Sequence, residues 1–437
     1  MKLTSLNKLV EQSGRLDLKI NDIYEAVDET MCKKEKEERY HKLSCIDRKC
    51  DQCGTNLLKE KLKPISNDEV SVVKWNAWGV VKSVNPKTEK EITKRQEVVK
   101  SGPPSELVAT LIVELESLSV HLFEAWWQQE QFSELGKNFP EKAVVLTIDF
   151  AENYTCFSQN EIQGAHWTKD SVTIHPCIAL YRCPKDNVII DECVDIISND
   201  LLHDSHAVHK YTTEVMQHLK VMREIQFEHV YVISDGCAAH YKSKVPFMDI
   251  SCSIDDHQVT MERCFYGSQH GKNRCDGEAG VLKSMATKAV INRCHGEAGV
   301  LKSMATSRCD GEAGVLKSMA TRAVKNRETT IQRAEDFYKT VKILEKKAEN
   351  PDGSCIHTRR TILWIDRDNI VHQRSDRDSK TVHGTRKLHS ILGVRRGEIK
   401  TRRLSCFCVE CTHNNPDGCL NADYVDTWKA VQMKRIL

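Results

Sequence analysis

Two stretches carry the fold, AVVLTIDF (143–150) and HVYVISD (229–235). Each is a short run of β-branched and other apolar residues, the pattern of a buried strand. Each also closes on an aspartate, Asp149 in the first and Asp235 in the second. An ionised carboxylate at the end of a buried strand is costly to desolvate unless it is paired or coordinates a cation, so the two strand ends together point to a site.

Between them lie VTIHPCIALY (172–181) and VIIDECVDII (188–197), which read as two more strands. AVHKYTTEVMQHLKVM (207–222) follows, with Val208, Tyr211, Val215, Leu219 and Met222 on one helical face. The order is β-β-β-α-β. A further short strand, ERCFYG (262–267), precedes HGKNRCDGEAGVLKSMATKAV (270–290), a helix expected to begin near Asp276. This order predicts an α/β fold of the RNase H-like kind, a mixed sheet with helices on both faces. Acids ending the first and fourth strands would then be neighbours, with Asp276 or Glu278 as a third, 276−235 = 41 or 278−235 = 43 residues on. Three carboxylates suit Mg²⁺ or Mn²⁺, and a pair of ions ~3.5–4 Å apart would serve in-line phosphoryl transfer.

Outward from this core, four segments are expected: 1–64, helical with a cysteine cluster; 65–140, linker strands and a long helix; 141–350, the core; and 351–437, basic with a second cysteine cluster. The long helix is marked by Leu111, Leu115, Leu118, Leu122, Trp126 and Trp127, both tryptophans being expected in the core. The chain has 437 residues, 40% hydrophobic, and 64 basic against 62 acidic side chains, an ordinary globular composition allowing several domains. No run approaches the ~18 apolar residues of a spanning helix, so no membrane association is expected. The first residues, MKLTSLNKLVEQSGRLDLK, scatter charge where a signal peptide would be apolar, so the chain reads as intracellular.

In a reducing compartment 19 cysteines call for metal rather than disulfides. Cys32, Cys45, Cys50 and Cys53 form one group with His41 nearby, and Cys406, Cys408, Cys411 and Cys419 form another with His413 nearby. Their spacing suits tetrahedral structural Zn²⁺, one ion per group. His203, His206 and His209 partly share a helix face, but a helix start at Asp204 or Ser205 explains that polar cluster more simply. The sequon at Asn153 would not be used inside a cell. No P-loop, HExxH or GxGxxG is present, which leaves nucleotide hydrolysis and zinc proteolysis without support.

RKLHSILGVRRGEIKTRR (386–403) carries basic residues opposed only by Glu398, and Arg395, Arg396, Arg402 and Arg403 are expected to contact a polyanion such as DNA. Residues 273–327 repeat the motif CDGEAG or CHGEAG three times, with starts offset by 19 and then 15 residues, which reads as local tandem duplication or a gene-prediction error. The first copy is expected to fill the acid site. Copy three lies 310−235 = 75 residues from Asp235, and copy two carries His295 in place of the aspartate.

The segments DFAENYTC (149–156), HWxxxSVTIHP (166–176), SNDLLHDSHAVH (198–209), ISDGCAAHYKSK (233–244), FYGSQHGK (265–272) and CDGEAGVLK (275–283) resemble a multicopy eukaryotic family of transposon-derived proteins. The resemblance runs from about Cys32 to the C-terminus, and the tripled CDGEAG departs from the family's single copy. It implies a DDE/DDD-type transposase core, with Asp149, Asp235 and Asp276 or Glu278 in the catalytic positions. It places Lys242, Lys244, His270 and Lys272 near DNA phosphates. A nuclear, DNA-processing protein is the resulting expectation, with homo-oligomers open because transposases often act as multimers. The alternative is a domesticated DNA- or chromatin-binding zinc protein that has lost catalysis.

Overall fold

The computed structural model describes residues 6–7, 20–68, 71–84, 91–156, 169–268, 271, 273–291, 331–349, 356–413 and 418–433. The chain forms two compact units, Met1–Trp127 and Gln128–Leu437. The long helix contributes residues to both units.

In the first unit, α1 (Ile23–Asp28) starts where Asp22, in extended backbone, accepts hydrogen bonds from the N–H groups of Tyr24 and Glu25. Three short helices follow, α2 (Leu43–Ile46), α3 (Thr55–Lys61) and α4 (Lys63–Ser66). Strands β1 (Val73–Val84) and β2 (Glu91–Gly102) pair antiparallel as an isolated hairpin, buried mainly at Trp75 and Ala77. Helix α5 (Pro104–Lys137) begins on a proline, whose missing N–H costs nothing in a first turn, and buries Leu107, Leu111 and Leu115 along one stripe. Trp127 is buried, but Trp126 is 53% exposed beside Tyr24. Neighbours on a helix point about 100° apart, so both tryptophans could not enter one core.

The second unit is α/β, built on a mixed sheet. At its centre β3 (Ala143–Ile148) pairs antiparallel with β5 (Ser171–Arg182), which pairs antiparallel with β6 (Ile189–Ser198). The two-residue β4 (Tyr154–Thr155) lies beside β5. Helix α6 (Ser205–Met222), capped by Asp204, leads to β7 (His229–Ser234), which returns parallel to β3. Helices α7 (Lys244–Ser251) and α8 (Ser253–His257) precede β8 (Thr260–Phe265), parallel to β7, and α9 (Arg274–Ile291) follows.

Further on come α10 (Ala334–Val341), β9 (Lys346–Glu349) and β10 (Ile356–Ile365), the last parallel to β6. The opposite edge is extended by β11 (Ser390–Arg395), β12 (Glu398–Arg402) and β13 (Lys429–Gln432), with α11 (Val409–Thr412) and α12 (Ala422–Val425) in the connection.

Alternation along each strand sends side chains to opposite faces, and helices cover both. Val144, Leu146 and Ile148 pack in the core that contains Val208, Tyr211 and Val215 of α6. Ala143 and Val145 face the other way, towards Leu135 and Phe139. Ala279, Leu282 and Ala286 of α9 share a core with Val172, Ile174 and α10's Phe337.

The basic stretch 386–403 is mostly sheet rather than open surface. It forms the β11–β12 hairpin, turning at Gly397 with φ +81°, and buries Ser390, Ile391, Ile399, Thr401 and Arg402. Its alternation of apolar and charged residues is that of a strand pair with one wet face. The second and third CDGEAG copies lie outside the described residues.

Candidate acid site and cysteine clusters

Parallel pairing of β3 and β7 sets Thr147 level with Ile233, so Asp149 and Asp235, two residues further on in each strand, leave the sheet side by side. Helix α9 brings Asp276 to the same place in its first turn. Asp235 and Asp276 both act on Asp149. Burial and the charges of Asp235 and Asp276 push the Asp149 carboxyl up to about 7, against hydrogen bonds from the Phe150 N–H and the Asn273 side chain.

Asn273 organises this end of α9. Its Oδ1 accepts from the Cys275 N–H at 2.7 Å, and its own N–H donates to Asp276 Oδ2 at 3.1 Å, a reciprocal cap. Asp235 Oδ1 accepts from the Cys237 N–H at 3.0 Å. A Cβ on Gly271 would sit 3.3 Å from that of Asp235, tighter than side chains normally pack, so the backbone passes close over the acid because residue 271 is glycine.

Next to Asp149, Phe150 stacks on His203 at 4.3 Å and meets His175 and His240 edge-on. His175 is buried with neither ring nitrogen hydrogen-bonded, and burial takes its pKa down to about 3, so it is neutral. Asn273, Phe150, His175 and His240 were not singled out from sequence. The NxxD spacing of Asn273 and Asp276 was the available signal for the cap.

Helix geometry separates Asp276 from Glu278. Two residues apart on α9 they point to different sides, and Glu278 ion-pairs with Arg360 of β10. Beside that pair Asp195 is fully buried, its carboxyl held well above the usual range by burial and by Glu278. Glu278 therefore seats α9 on β6 and β10, while Asp276 joins the other two acids. The oxygens of Asp149, Asp235 and Asp276 are not among the groups that converge within 4.8 Å of one another.

Residues assigned to DNA phosphates are scattered. Lys242 is buried, its ammonium 4.8 Å from the Phe265 ring centroid and donating to the Arg386 carbonyl at 3.3 Å. Arg402 is buried 4.4 Å from the Trp428 ring. Both residues are thus buried rather than displayed on the surface. Lys244 pairs with Asp378 at 2.8 Å, Arg395 with Glu398 at 2.7 Å and Arg396 with Asp376 at 3.5 Å, all near the surface. Arg403 is partly buried. His270 and Lys272 lie outside the described residues. The three histidines expected to share a helix face do not converge: His203 precedes α6 and pairs with Asn153, His206 accepts from Arg374, and His209 lies near Asp249.

The cysteines do converge. The sulfurs of Cys32, Cys45, Cys50 and Cys53 lie within 4.8 Å of one another, as do those of Cys406, Cys408, Cys411 and Cys419. Four thiolates about 2.3 Å from a tetrahedral zinc ion would be about 3.8 Å apart. Cys32 and Cys50 are 3.8 Å apart, and Cys406 and Cys419 are 3.6 Å apart. Each group could thus hold a structural metal ion such as zinc.

The first group is shaped by α2, after which the Lys49 and Cys50 N–H groups both donate to the Ser44 carbonyl. Arg48 braces it, donating to the carbonyls of Thr30 and Leu115. In the second group, hydrogen bonds from Cys411 and Asn421 draw the Cys406 thiol down to about 5. The histidines held in reserve are engaged elsewhere, His41 with Asp28 and the Cys32 carbonyl, and His413 with the Val409 carbonyl.

Over residues 128–305, and again over 302–405, the chain matches the family described as "Domain of unknown function (DUF8701)". The chain belongs to that family. The matched region takes in the central sheet and the acid site and stops one residue short of Cys406, and its two stretches meet inside the repeats. Comparison with curated proteins and with solved structures found no match.

Proposed function

We propose that the second unit is an RNase H-like, transposase-derived core that cuts or joins DNA by metal-dependent phosphoryl transfer, acting in the nucleus. The observation that carries this reading is the placement of Asp149, Asp235 and Asp276 at the ends of two parallel strands and a helix start, with Asp149 raised to about 7 by burial and by the other two acids. The sheet order supports it: three antiparallel strands, then two parallel to the first, with α6 as the crossover. Carboxylates that repel one another when ionised are suited to gaining a divalent cation, and oxygen ligands favour Mg²⁺ or Mn²⁺.

Bound there, such ions would activate a water or 3′ hydroxyl and take up charge on the leaving oxygen. The chain's own part is positional. Asp149 and Asp235 are fixed by the sheet, and Asp276 is set by the Asn273 cap. Phe150 and its histidines wall one side.

A second reading, a DNA-binding protein without catalysis, is favoured by the failure of the three carboxylates to converge within 4.8 Å. The test is nicking of supercoiled DNA and strand transfer by the full chain with Mg²⁺ or Mn²⁺, beside Asp149→Ala and Asp235→Ala. The proposal expects activity in the parent and loss of at least a hundredfold in either variant. Activity equal in parent and variants would remove the assignment, and DNA binding with no activity in the parent would leave the second reading.

A further inference from the structure

We infer that Cys183, Asp186 and His357 form a third metal site, separate from the four-cysteine groups, which takes a divalent cation of zinc's class and keeps a coordination position open to a cavity. The ligand atoms of these three side chains lie within 4.8 Å of one another. They come from places far apart in sequence. Cys183 and Asp186 belong to the turn between β5 and β6, and His357 lies near the start of β10, the strand parallel to β6.

The turn is built to aim its carboxylate. Cys183 and Val188 close it, the Cys183 N–H donating to the Val188 carbonyl at 2.8 Å and Asn187 taking a positive φ of 60°. Asp186 Oδ1 accepts from the Val188 N–H at 3.1 Å, which leaves Oδ2 turned to His357.

His357 is the second observation. It is 96% buried, being 4% exposed, and its Nε2 lies 2.9 Å from Asp186 Oδ2 without making a hydrogen bond. A donor nitrogen and a carboxylate oxygen that close, yet out of line, is the arrangement of two atoms directed at a shared third body. With ligand bonds of about 2.0–2.1 Å, a separation of 2.9 Å subtends about 90° at a metal ion.

One sulfur, one imidazole nitrogen and one carboxylate oxygen make a borderline-soft set that suits Zn²⁺ or Co²⁺ over Mg²⁺. Three protein ligands leave a position free, the pattern of zinc sites that bind a further small ligand. Cys183 and His357 also line a cavity of about 340 Å³ together with Tyr181, Met222 and Arg223. The nearby guanidinium does not oppose a cation strongly, because Arg223 is paired with Glu192 at 2.8 and 2.9 Å. On binding, the Cys183 S–H bond gives way to a sulfur–metal bond and the proton passes to solvent. His209, Asp256 and His257 also converge, but Arg374 and Arg377 bear directly on His209 and disfavour a cation there.

The test uses the full chain, purified with zinc and treated with a mild chelator that leaves two zinc ions in the four-cysteine groups. Co²⁺ is then titrated. The expected result is one additional Co²⁺ per chain with a thiolate-to-cobalt absorption band. Cys183→Ser should lose the band, and His357→Ala should lose the bound Co²⁺, with two zinc ions retained in both. Should His357→Ala fail to fold, Asp186→Asn, in a surface turn, should weaken Co²⁺ binding at least tenfold. No Co²⁺ beyond the cysteine groups in the parent, or binding unchanged in Cys183→Ser and Asp186→Asn, overturns the site.

Discussion

Replacing Asp149 by Asn should make the metal-free protein more stable, although it removes a residue of the acid site. Burial and the two neighbouring aspartates raise the Asp149 carboxyl from its ordinary 3.8 to about 7. The folded state therefore binds this proton more readily than the unfolded state. Its contribution to stability is greatest below pH 3.8, falls as pH rises towards 7, and is level above that. The separation, at about 1.36 kcal/mol per pH unit, sets a ceiling of about 4 kcal/mol at pH 8. Asp149 is only partly buried, so solvent screening reduces this to about 2 kcal/mol. An asparagine carries no charge to desolvate or repel.

Thermal unfolding in chelator at pH 8 should accordingly show Asp149→Asn melting about 4 °C above the parent. At pH 5 the gap should shrink by more than half, because the parent's carboxyl is then mostly protonated when folded. Adding Mg²⁺ at pH 8 should raise the parent and not the variant, closing the gap from the other side. A variant no more stable than the parent at pH 8, or a gap independent of pH, would refute the picture of three mutually repelling carboxylates.

Cys50→Ser and Cys411→Ser should each remove one zinc ion per chain and no more, as read by metal analysis, since the two groups share no ligand. Lys242→Ala should cost about 1–3 kcal/mol in urea unfolding through lost packing on Phe265, and leave the salt dependence of DNA binding unchanged. A salt slope shallower by about one would return Lys242 to the phosphate contacts. Deleting residues 288–321 should leave circular dichroism and melting temperature unchanged. It joins MAT to RAVKNRE, so that Val324 takes the place of the buried Val290. Loss of solubility or of cooperative unfolding would mean that the extra copies are structural.

The central strands were legible because they are buried on both faces and read as continuous apolar runs, with β3, β5, β6 and β7 falling within two residues of their expected limits. Asp204 was legible as a helix start because its side chain acts locally, on the N–H groups of His206 and Ala207. The sheet's edges were not. β11 and β12 have one wet face, so their arginines hid an alternation, and β10 finds β6 across more than 150 residues of sequence. For the same reason the ion pair of Glu278 with Arg360, which separates the two candidate acids, could not be seen along one helix. Cysteine groups close in sequence were readable from spacing, whereas Cys183, Asp186 and His357 depend on the β6–β10 pairing.

The start of α9 is set by four residues, Asn273-Arg274-Cys275-Asp276, which supply both the helix's own initiation signal and the third acid. A segment carrying its start and its functional group together can be duplicated without losing either. In sequence, copy three keeps the arrangement as Ser307-Arg308-Cys309-Asp310, whereas copy two has the leading asparagine but His295 in place of the returning carboxylate. The consequence is genetic as much as physical. The gene thus encodes, in copy three, a second capping-type residue and aspartate at the spacing of Asn273 and Asp276.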